Sequence, residues 1–349
     1  MKEIEKYSST KQRKLEVKNP RVESLILHDS FPDSIIMPEE SRLLHIKFQG
    51  GQEKTIPVLD CRRESHHEMI ASTAASGKPF TYFGVGLYGL SAIVESPSVN
   101  PQARGSRAFF EAKSGRKETD KVPVFGIPES LKQLMDIDLI HPEFRMVLDD
   151  PDYIWKLGNA LHIIAPIRKD SRIDPVFVTT PEIAKEKGLP NQKVNTASFF
   201  WWDDPDGYKI ARRISELSPE GIGGISSFNE HGEAPAWNLD GVIDFVSKKG
   251  IAPFDMVVTD SIAEPIGIRS SFDQVGIPTI YDDPVWKFYR EGPLNKERFV
   301  GDLNKKYGTD FGYVIMPTAK VASRSNADEA YLDDALQTVQ KTVWYQRNN

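Results

Sequence analysis

Between Leu43 and Leu59 the segment LLHIKFQGGQEKTIPVL sets apolar Leu44, Ile46 and Phe48 on alternate positions and then turns at Gly50-Gly51. Alternation with period two around a Gly-Gly pair predicts a β-hairpin, expected to be the first ordered unit of the chain. Beyond it the period changes repeatedly. Glu64 to Ala75 reads as a helix, Pro79 to Phe83 as extended chain, and LYGLSAIV as a further apolar strand. PESLKQLMDI then predicts a helix, LHIIAPI a buried strand, PEIAKEKGL a helix closed by Gly188, and SFFWW another strand. Alternating element types point to an α/β layer fold.

Asp-Asp-Pro occurs at Asp149-Asp150-Pro151, Asp203-Asp204-Pro205 and Asp282-Asp283-Pro284. Paired carboxylates suit a divalent metal, but Asp before Pro also opens helices, because Asp accepts from free N–H groups and Pro suits the first helical position. The helix-compatible spacing in the following YIWKLGNAL, YKIARRISEL and VWKFYREG favours capping. Near the end, Leu332, Leu336, Val339 and Val343 recur at helical spacing behind Ser325 or Asn326 as caps, which predicts an amphipathic helix for core docking or a subunit contact.

A chain of 349 residues fits one large domain with extensions or two smaller ones. With 39% hydrophobic and 27% charged residues it has a globular composition. No stretch approaches the run of about 18 apolar residues that spans a bilayer. The first twenty residues mix Lys and Glu without an apolar core, so a solvated arm rather than a secretory leader is expected. Cys61 is the only cysteine, which excludes an internal disulfide and a thiolate zinc cluster, and makes a cytoplasmic setting the expectation. Cys61, His66 and His67 form the one histidine-rich group; adjacent histidines point apart, so no metal site is expected there.

The net charge of −6 argues against a generally basic nucleic-acid binder. Cations are nevertheless concentrated between Arg104 and Lys121, in ARGSRAFFEAKSGRKETDKVPV. That segment, GISSFNEHG and IGIRSSFDQVG each combine small residues, hydroxyls or cationic groups on a loop after an apolar stretch. Backbone N–H groups, hydroxyls and Lys or Arg are what phosphate cradles are made of. Any one of these loops also suits a solvated face or a plain turn.

Their order carries more. GKPFTYFGVGLYGLSA, FFEAKSGRKETDKVPV, GISSFNEHGEAP and DSIAEPIGIRSSFD follow one another as the landmarks of the YrdC-like, or threonylcarbamoyl-adenylate synthase, family do. The resemblance covers residues from about Arg62 to Gly292. It implies a twisted open mixed sheet with helices packed around a concave nucleotide-binding face. It implies that Lys113 and Arg116 are the catalytic cationic pair gripping the phosphates of ATP. Ser227 and Asn229 correspond to the family's Ser-x-Asn element, Ser270 and Ser271 to its late Ser-Thr element, and Arg290 to a closing arginine, all as nucleotide-binding residues. His231 lies beside the Ser-x-Asn turn.

The departures are informative. Phe83-Gly84-Val85-Gly86 replaces the family's Pro-Thr-Asp-Thr, LGNAL meets its Pro-Gly-Pro, and FFWWDDPDG replaces its Arg-x-Pro strand. The cationic element reads Lys-Ser-Gly-Arg, one residue longer than Lys-x-Arg. The lost hydroxyls put threonine itself in doubt as substrate. Phe199, Phe200, Trp201 and Trp202 fit core packing better than a pocket floor.

The expected organisation is an arm (1–20), an N-terminal extension with the hairpin (21–61), a YrdC-like nucleotide-binding domain (62–292), and a C-terminal extension ending in the amphipathic helix (293–349). The expected function is formation of a carbamoyl-adenylate from ATP, bicarbonate and threonine or another small amine, with pyrophosphate released. ATP and magnesium are the implied cofactors, and tRNA or a tRNA-modification protein the implied partner, with no membrane. The alternative is a non-catalytic RNA- or nucleotide-binding module on the same fold.

Overall fold

A computed structural model describes residues 12–29, 37–84, 87–93, 105–112, 117, 120–150, 161–171, 173–190, 192–201, 205–218, 223–229, 233, 235–266, 273–292 and 294–321. Strand β1 (Gln12–Leu15) pairs antiparallel with β2 (Val22–His28), which pairs with β3 (Arg42–Phe48) of the expected hairpin. Its second strand, β4 (Glu53–Asp60), returns through Gly50 and Gly51 at φ +91° and +83°, a backbone conformation that glycine adopts without the strain a Cβ would bring. Residues 12–20 are therefore not a free arm. Arg13 and Lys18 reach Asp240 and Asp244, each at 2.7 Å, on a helix described below, and the Lys18 N–H donates to Ser247 Oγ at 2.9 Å. An acidic helix face gives this charged segment a partner that its own sequence does not reveal.

The chain continues through α1 (Glu64–Ala75), β5 (Phe80–Gly84), β6 (Leu87–Ile93), α2 (Gly105–Ala112), β7 (Val124–Gly126), α3 (Pro128–Leu134), α4 (Pro142–Asp149) and β8 (Leu161–Pro166). Then come α5 (Pro181–Lys187), β9 (Thr196–Trp201), α6 (Pro205–Leu217), β10 (Gly223–Ser227), α7 (Leu239–Lys249), β11 (Val257–Thr259) and α8 (Ala263–Ile266). Strands β12 (Asp273–Gly276) and β13 (Val285–Glu291), helix α9 (Lys296–Tyr307) and β14 (Gly312–Val321) complete it. The fold is α/β: the described residues form one open, mixed, fourteen-stranded sheet in the order β1-β2-β3-β4-β11-β5-β6-β10-β7-β9-β8-β12-β13-β14. The N-terminal extension belongs to that sheet, because Val58–Asp60 run parallel to Val257–Thr259 in register.

Two cores lie against the strands. Ile70, Ala71 and Ala74 of α1 and Ile210, Ala211 and Ile214 of α6 build one. Val242, Phe245 and Val246 of α7 and Phe299 and Leu303 of α9 belong to the other. Local signals explain several boundaries: Thr180 Oγ1 accepts from the Ile183 N–H, and Gly188 closes α5 at φ 63°. Pro205 opens α6, as the capping reading of its triplet expects.

One triplet behaves differently. VWKFYREG is strand β13, not a helix. Asp282 accepts from the Thr279 N–H at 3.1 Å and the Thr279 hydroxyl at 2.6 Å, closing a turn between strands. Trp286 and Phe288 are fully buried while Val285 and Lys287 are half-buried, the alternation of a strand. The region after Asp150 (151–160) and the amphipathic segment of Leu332–Val343 lie outside the described residues. No helix among the described residues is long and apolar enough to cross a membrane.

Candidate functional site

Strand β10 delivers the Ser-x-Asn turn to one end of the sheet. It lies between β6 and β7, with Ser227 opposite Gly89 of the YGLSA segment. Its two leading residues must be glycine for packing reasons: a Cβ on Gly223 would come within 2.1 Å of the Phe125 ring, and one on Gly224 within 2.1 Å of the Phe177 ring. Gly224→Ala is therefore expected to lower stability by about 1–3 kcal/mol. Urea denaturation checks this, and Phe177→Leu in the same chain is expected to restore part of the loss, since the two sites share one contact.

Phe228 anchors the turn. It is fully buried, with ring centroids 4.4 Å from Phe245 and 5.5 Å from Phe254. Its N–H donates to Tyr88 O at 2.8 Å, its carbonyl accepts from Ala236 N at 3.0 Å, and Ala236 O accepts from Tyr88 N at 2.7 Å. The loop between Phe228 and Ala236 is thus tied off at its base. On it, the Ser227 hydroxyl donates to Asn229 Oδ1 at 2.9 Å and Asn229 Nδ2 donates to Glu233 O at 2.6 Å. An amide carries two N–H donors and a hydroxyl keeps acceptor lone pairs, so the pair can still meet a ligand oxygen.

Lys113, Arg116, Ser270, Ser271 and His231 lie outside the described residues. The helix that leads to Lys113 is described. Phe109 of α2 packs edge-on to Phe177, centroids 6.0 Å apart, and Phe177 is the same ring that covers Gly224. Position 109 stands four residues before Lys113 and position 224 three before Ser227, so one aromatic ring joins the approaches to both motifs. Elsewhere in the basic segment, Lys121 Nζ donates to Pro175 O at 3.0 Å, and Lys117 is exposed.

Arg290 is on β13, and four strands separate it from β10 in the sheet order. Register places it beside Gln274 of β12, which is beside His162 of β8. Its guanidinium approaches His162 Nδ1 at 3.5 Å; burial lowers its pKa to about 10, against the opposing field of Asp273. Asp273 is fully buried and carries the Lys296 ammonium at 3.0 Å; burial raises its pKa while Lys296 pulls it down.

His162 is held far below the ordinary histidine range, first by burial and then by the Arg290 charge. The unfolded chain therefore binds this proton more readily than the folded one. Its contribution to stability is complete above about pH 6.5 and is lost as pH falls below that value towards the depressed folded pKa. Relative to His162→Gln, the wild type is expected to lose up to about 1.4 kcal/mol per pH unit below pH 6.5. Guanidinium denaturation of both proteins at pH 7.5, 6.0 and 5.0 checks this.

The histidine-rich group is structural. His66 Nδ1 accepts from the Asp60 N–H at 2.8 Å, and His67 Nε2 lies 2.7 Å from Cys61 O. Among the described residues no three His, Cys, Asp or Glu side chains are gathered to hold a metal ion. Phe199 and Phe200 are core residues, 0% and 2% exposed, as expected.

Sequence reasoning passed over a cluster at the ends of β4 and β11. Asp60 accepts from the N–H groups of Arg62 and Ser261, and Asp260 from Arg62 and the Ile262 N–H. Glu264 accepts from the Leu239 N–H at 2.6 Å and the Tyr88 hydroxyl at 3.0 Å, and burial raises its pKa. The signal was present: the apolar runs IPVL and MVVT each end in an aspartate.

No family model and no curated protein sequence matches the chain. Solved structures do. A double variant of Sua5 from P. abyssi superimposes with a TM-score of 0.50 at 19% identity, over 74% of this chain and 65% of that one. P. abyssi Sua5 complexed with L-threonine gives 0.47 at 17% identity, over 72% and 60%. E. coli YciO gives 0.45 at 11% identity, over 69% and 96%. The chain thus spans less than two thirds of either Sua5 chain. With the landmark order GKPFTYFGVGLYGLSA to DSIAEPIGIRSSFD and the superposition on Sua5 both in hand, the chain is built on the YrdC-like fold.

Proposed function

We propose that the chain is an ATP-using enzyme that forms a carbamoyl-adenylate from bicarbonate and a small amine. The observation that carries this reading is the shared packing on Phe177, which holds the helix before Lys113 and the strand before Ser227 against one ring, on the fold of Sua5. Lys113 and Arg116 are assigned to the phosphates, Ser227 and Asn229 to the nucleotide, with Ser270 and Ser271 beside it. Arg290 keeps a more distant role in this reading, as a buried charge beyond four strands.

The chemistry needs no protein nucleophile. The amine nitrogen forms a C–N bond with the carbon of bicarbonate as a C–O bond breaks, and the departing hydroxide takes one N–H proton to leave as water, giving the carbamate anion. A carbamate oxygen then bonds to the α-phosphorus of ATP as the bond to pyrophosphate breaks. The protein's work is to align two anions and offset charge gathering on the phosphates, which suits cations, an amide and hydroxyls. Magnesium, when bound, supplies charge neutralisation on the phosphates; the described carboxylates form no cage for it, so in this reading it arrives on the nucleotide.

The substrate amine departs from threonine in this reading. Phe83, where the resemblance expects a hydroxyl-bearing segment, is 1% exposed and packs on the Tyr88 ring at 5.3 Å. The same substitution favours the second reading, a binding module for RNA or nucleotide that has lost its amine pocket. Pyrophosphate release from ATP, measured over a panel of amino acids and amines with and without bicarbonate, separates them. Release dependent on both bicarbonate and one amine is expected. ATP binding without release across the whole panel rejects the enzyme, and salt-sensitive binding of structured RNA then supports the module.

A further inference from the structure

A cavity of about 280 Å³ lies between the loop that follows α5, the turn after β12, and strands β13 and β14. Four strands separate β13 from the β10 strand that carries the Ser227–Asn229 turn, so this cavity is not part of that site. Its size suits a small molecule. Leu189, Pro190 and Met316 give it apolar walls, and Lys193, Lys287 and Tyr289 give it donors. Tyr289 is set firmly in place: it is 7% exposed, and its ring lies so near Gly276 of β12 that a Cβ there would stand 3.1 Å from it and 2.9 Å from Pro190. A rigid ring holds its hydroxyl at a fixed point.

The polar groups of the lining are unequally satisfied. Asp282 accepts from the Thr279 N–H and hydroxyl and takes the Lys287 ammonium at 3.4 Å, so its charge is answered within the chain. Lys193 is not. It forms no ion pair and no hydrogen bond among the described residues, and its ammonium lies over the Tyr281 ring, 5.1 Å from the centroid. The Tyr289 hydroxyl also has no hydrogen-bond partner among the described residues, while burial and then the field of Asp282 raise its pKa and keep it a donor. Two ammonium groups against one carboxylate leave the lining with a single net positive charge, which opposes a cation and matches a monoanion. No arginine lines the cavity, so the fork that grips a phosphate dianion is missing. The apolar walls call for an apolar body behind the charge. A bare inorganic anion would leave them uncovered.

We infer that this cavity is a binding site for a small carboxylate with an apolar body, whose carboxylate accepts from the Tyr289 hydroxyl and the Lys193 ammonium and whose body lies against Pro190 and Met316. It stands whether or not the chain makes an adenylate. The test uses the full chain. Ligand-observed NMR and titration calorimetry are run with benzoate, phenylacetate and hexanoate, and with benzamide, benzylamine, phenyl phosphate and ATP as comparisons. At least one of the three carboxylates is expected to bind, with benzamide and benzylamine at least about 10-fold weaker, phenyl phosphate no tighter, and ATP unable to displace it. Tyr289→Phe is expected to weaken binding by about 10-fold, the loss of one hydrogen bond to a charged acceptor. The same variant should keep its denaturant midpoint, because the hydroxyl has no bond to lose in the ligand-free chain. Lys193→Gln is expected to weaken binding by about 2- to 5-fold, the smaller effect of an exposed charge. If Tyr289→Phe does not fold, Lys193→Gln carries the test on a side chain at the surface. The proposal is overturned if none of the carboxylates binds, if benzamide binds as well or phenyl phosphate binds more tightly, if ATP displaces the carboxylate, or if either variant that folds keeps full affinity.

Discussion

Arg62→Met is expected to lower the folding stability by about 3–5 kcal/mol, because it strands a buried carboxylate. Arg62 Nε and Nη2 grip the two oxygens of Asp260 at 2.9 and 2.5 Å, with side chains only 8% and 4% exposed. Nη1 adds Asp206 of α6 at 3.3 Å. The residue thus ties together the chain just after β4, the end of β11 and the start of α6. Removing only the cation leaves Asp260 charged in a dry place, with the Ile262 N–H as a neutral partner at 3.0 Å. Arg62→Met combined with Asp260→Asn removes the stranded charge while keeping an acceptor for Ile262, and is expected to recover a substantial part of the loss. Denaturant midpoints for the single and double variants decide the matter. A loss in the single variant of below about 1 kcal/mol would mean that the pair behaves as an exposed one.

Much of the architecture is legible wherever a local pattern and a local stop signal agree. The β3–β4 hairpin follows from alternation closed by Gly50-Gly51, and α5 from a Thr180 cap and a left-handed Gly188. Helix α1 spans Glu64 to Ala75, as its pattern requires. Where only tertiary partners decide, the pattern misleads or falls silent. VWKFYREG satisfies helical spacing and strand alternation equally over so short a run; its aromatic content and its place between β12 and β14 settle it as a strand. Strand β1 carries Gln12, Arg13 and Lys14, all exposed, and is defined by β2 and the acidic face of α7 rather than by hydrophobicity.

The sites divide in the same way. The Ser227–Asn229 turn is visible as a motif, because Gly223-Gly224, Phe228 and the polar pair are contiguous. Its attachment to Tyr88 depends on β10 adding to β6, which no local pattern specifies. The meeting of Asp60 with Glu264 depends on β11 inserting between β4 and β5, a crossover linking opposite ends of the chain. Charges brought together by strand order leave no periodic trace, so that cluster could be seen only in three dimensions.

On the adenylate reading, Asn229→Ala is expected to cut kcat/KM for bicarbonate- and amine-dependent pyrophosphate release by about 100- to 1,000-fold, the effect of removing one preorganised donor from a charged transition state. Stability should fall by only about 1 kcal/mol, the net worth of the bonds to Ser227 and Glu233. The two effects separate because the turn is held by Phe228, through its packing on Phe245 and its backbone bonds to Tyr88 and Ala236, and not by Asn229. Asn229→Asp sharpens the test. It keeps the shape and the acceptor for the Ser227 hydroxyl, but replaces an N–H donor with negative charge facing the phosphates. Its activity should fall at least as far as that of Asn229→Ala, with weaker ATP binding. Full turnover in either variant, at normal denaturant midpoints, would remove this turn from the reaction and leave its hydrogen bonds as loop architecture.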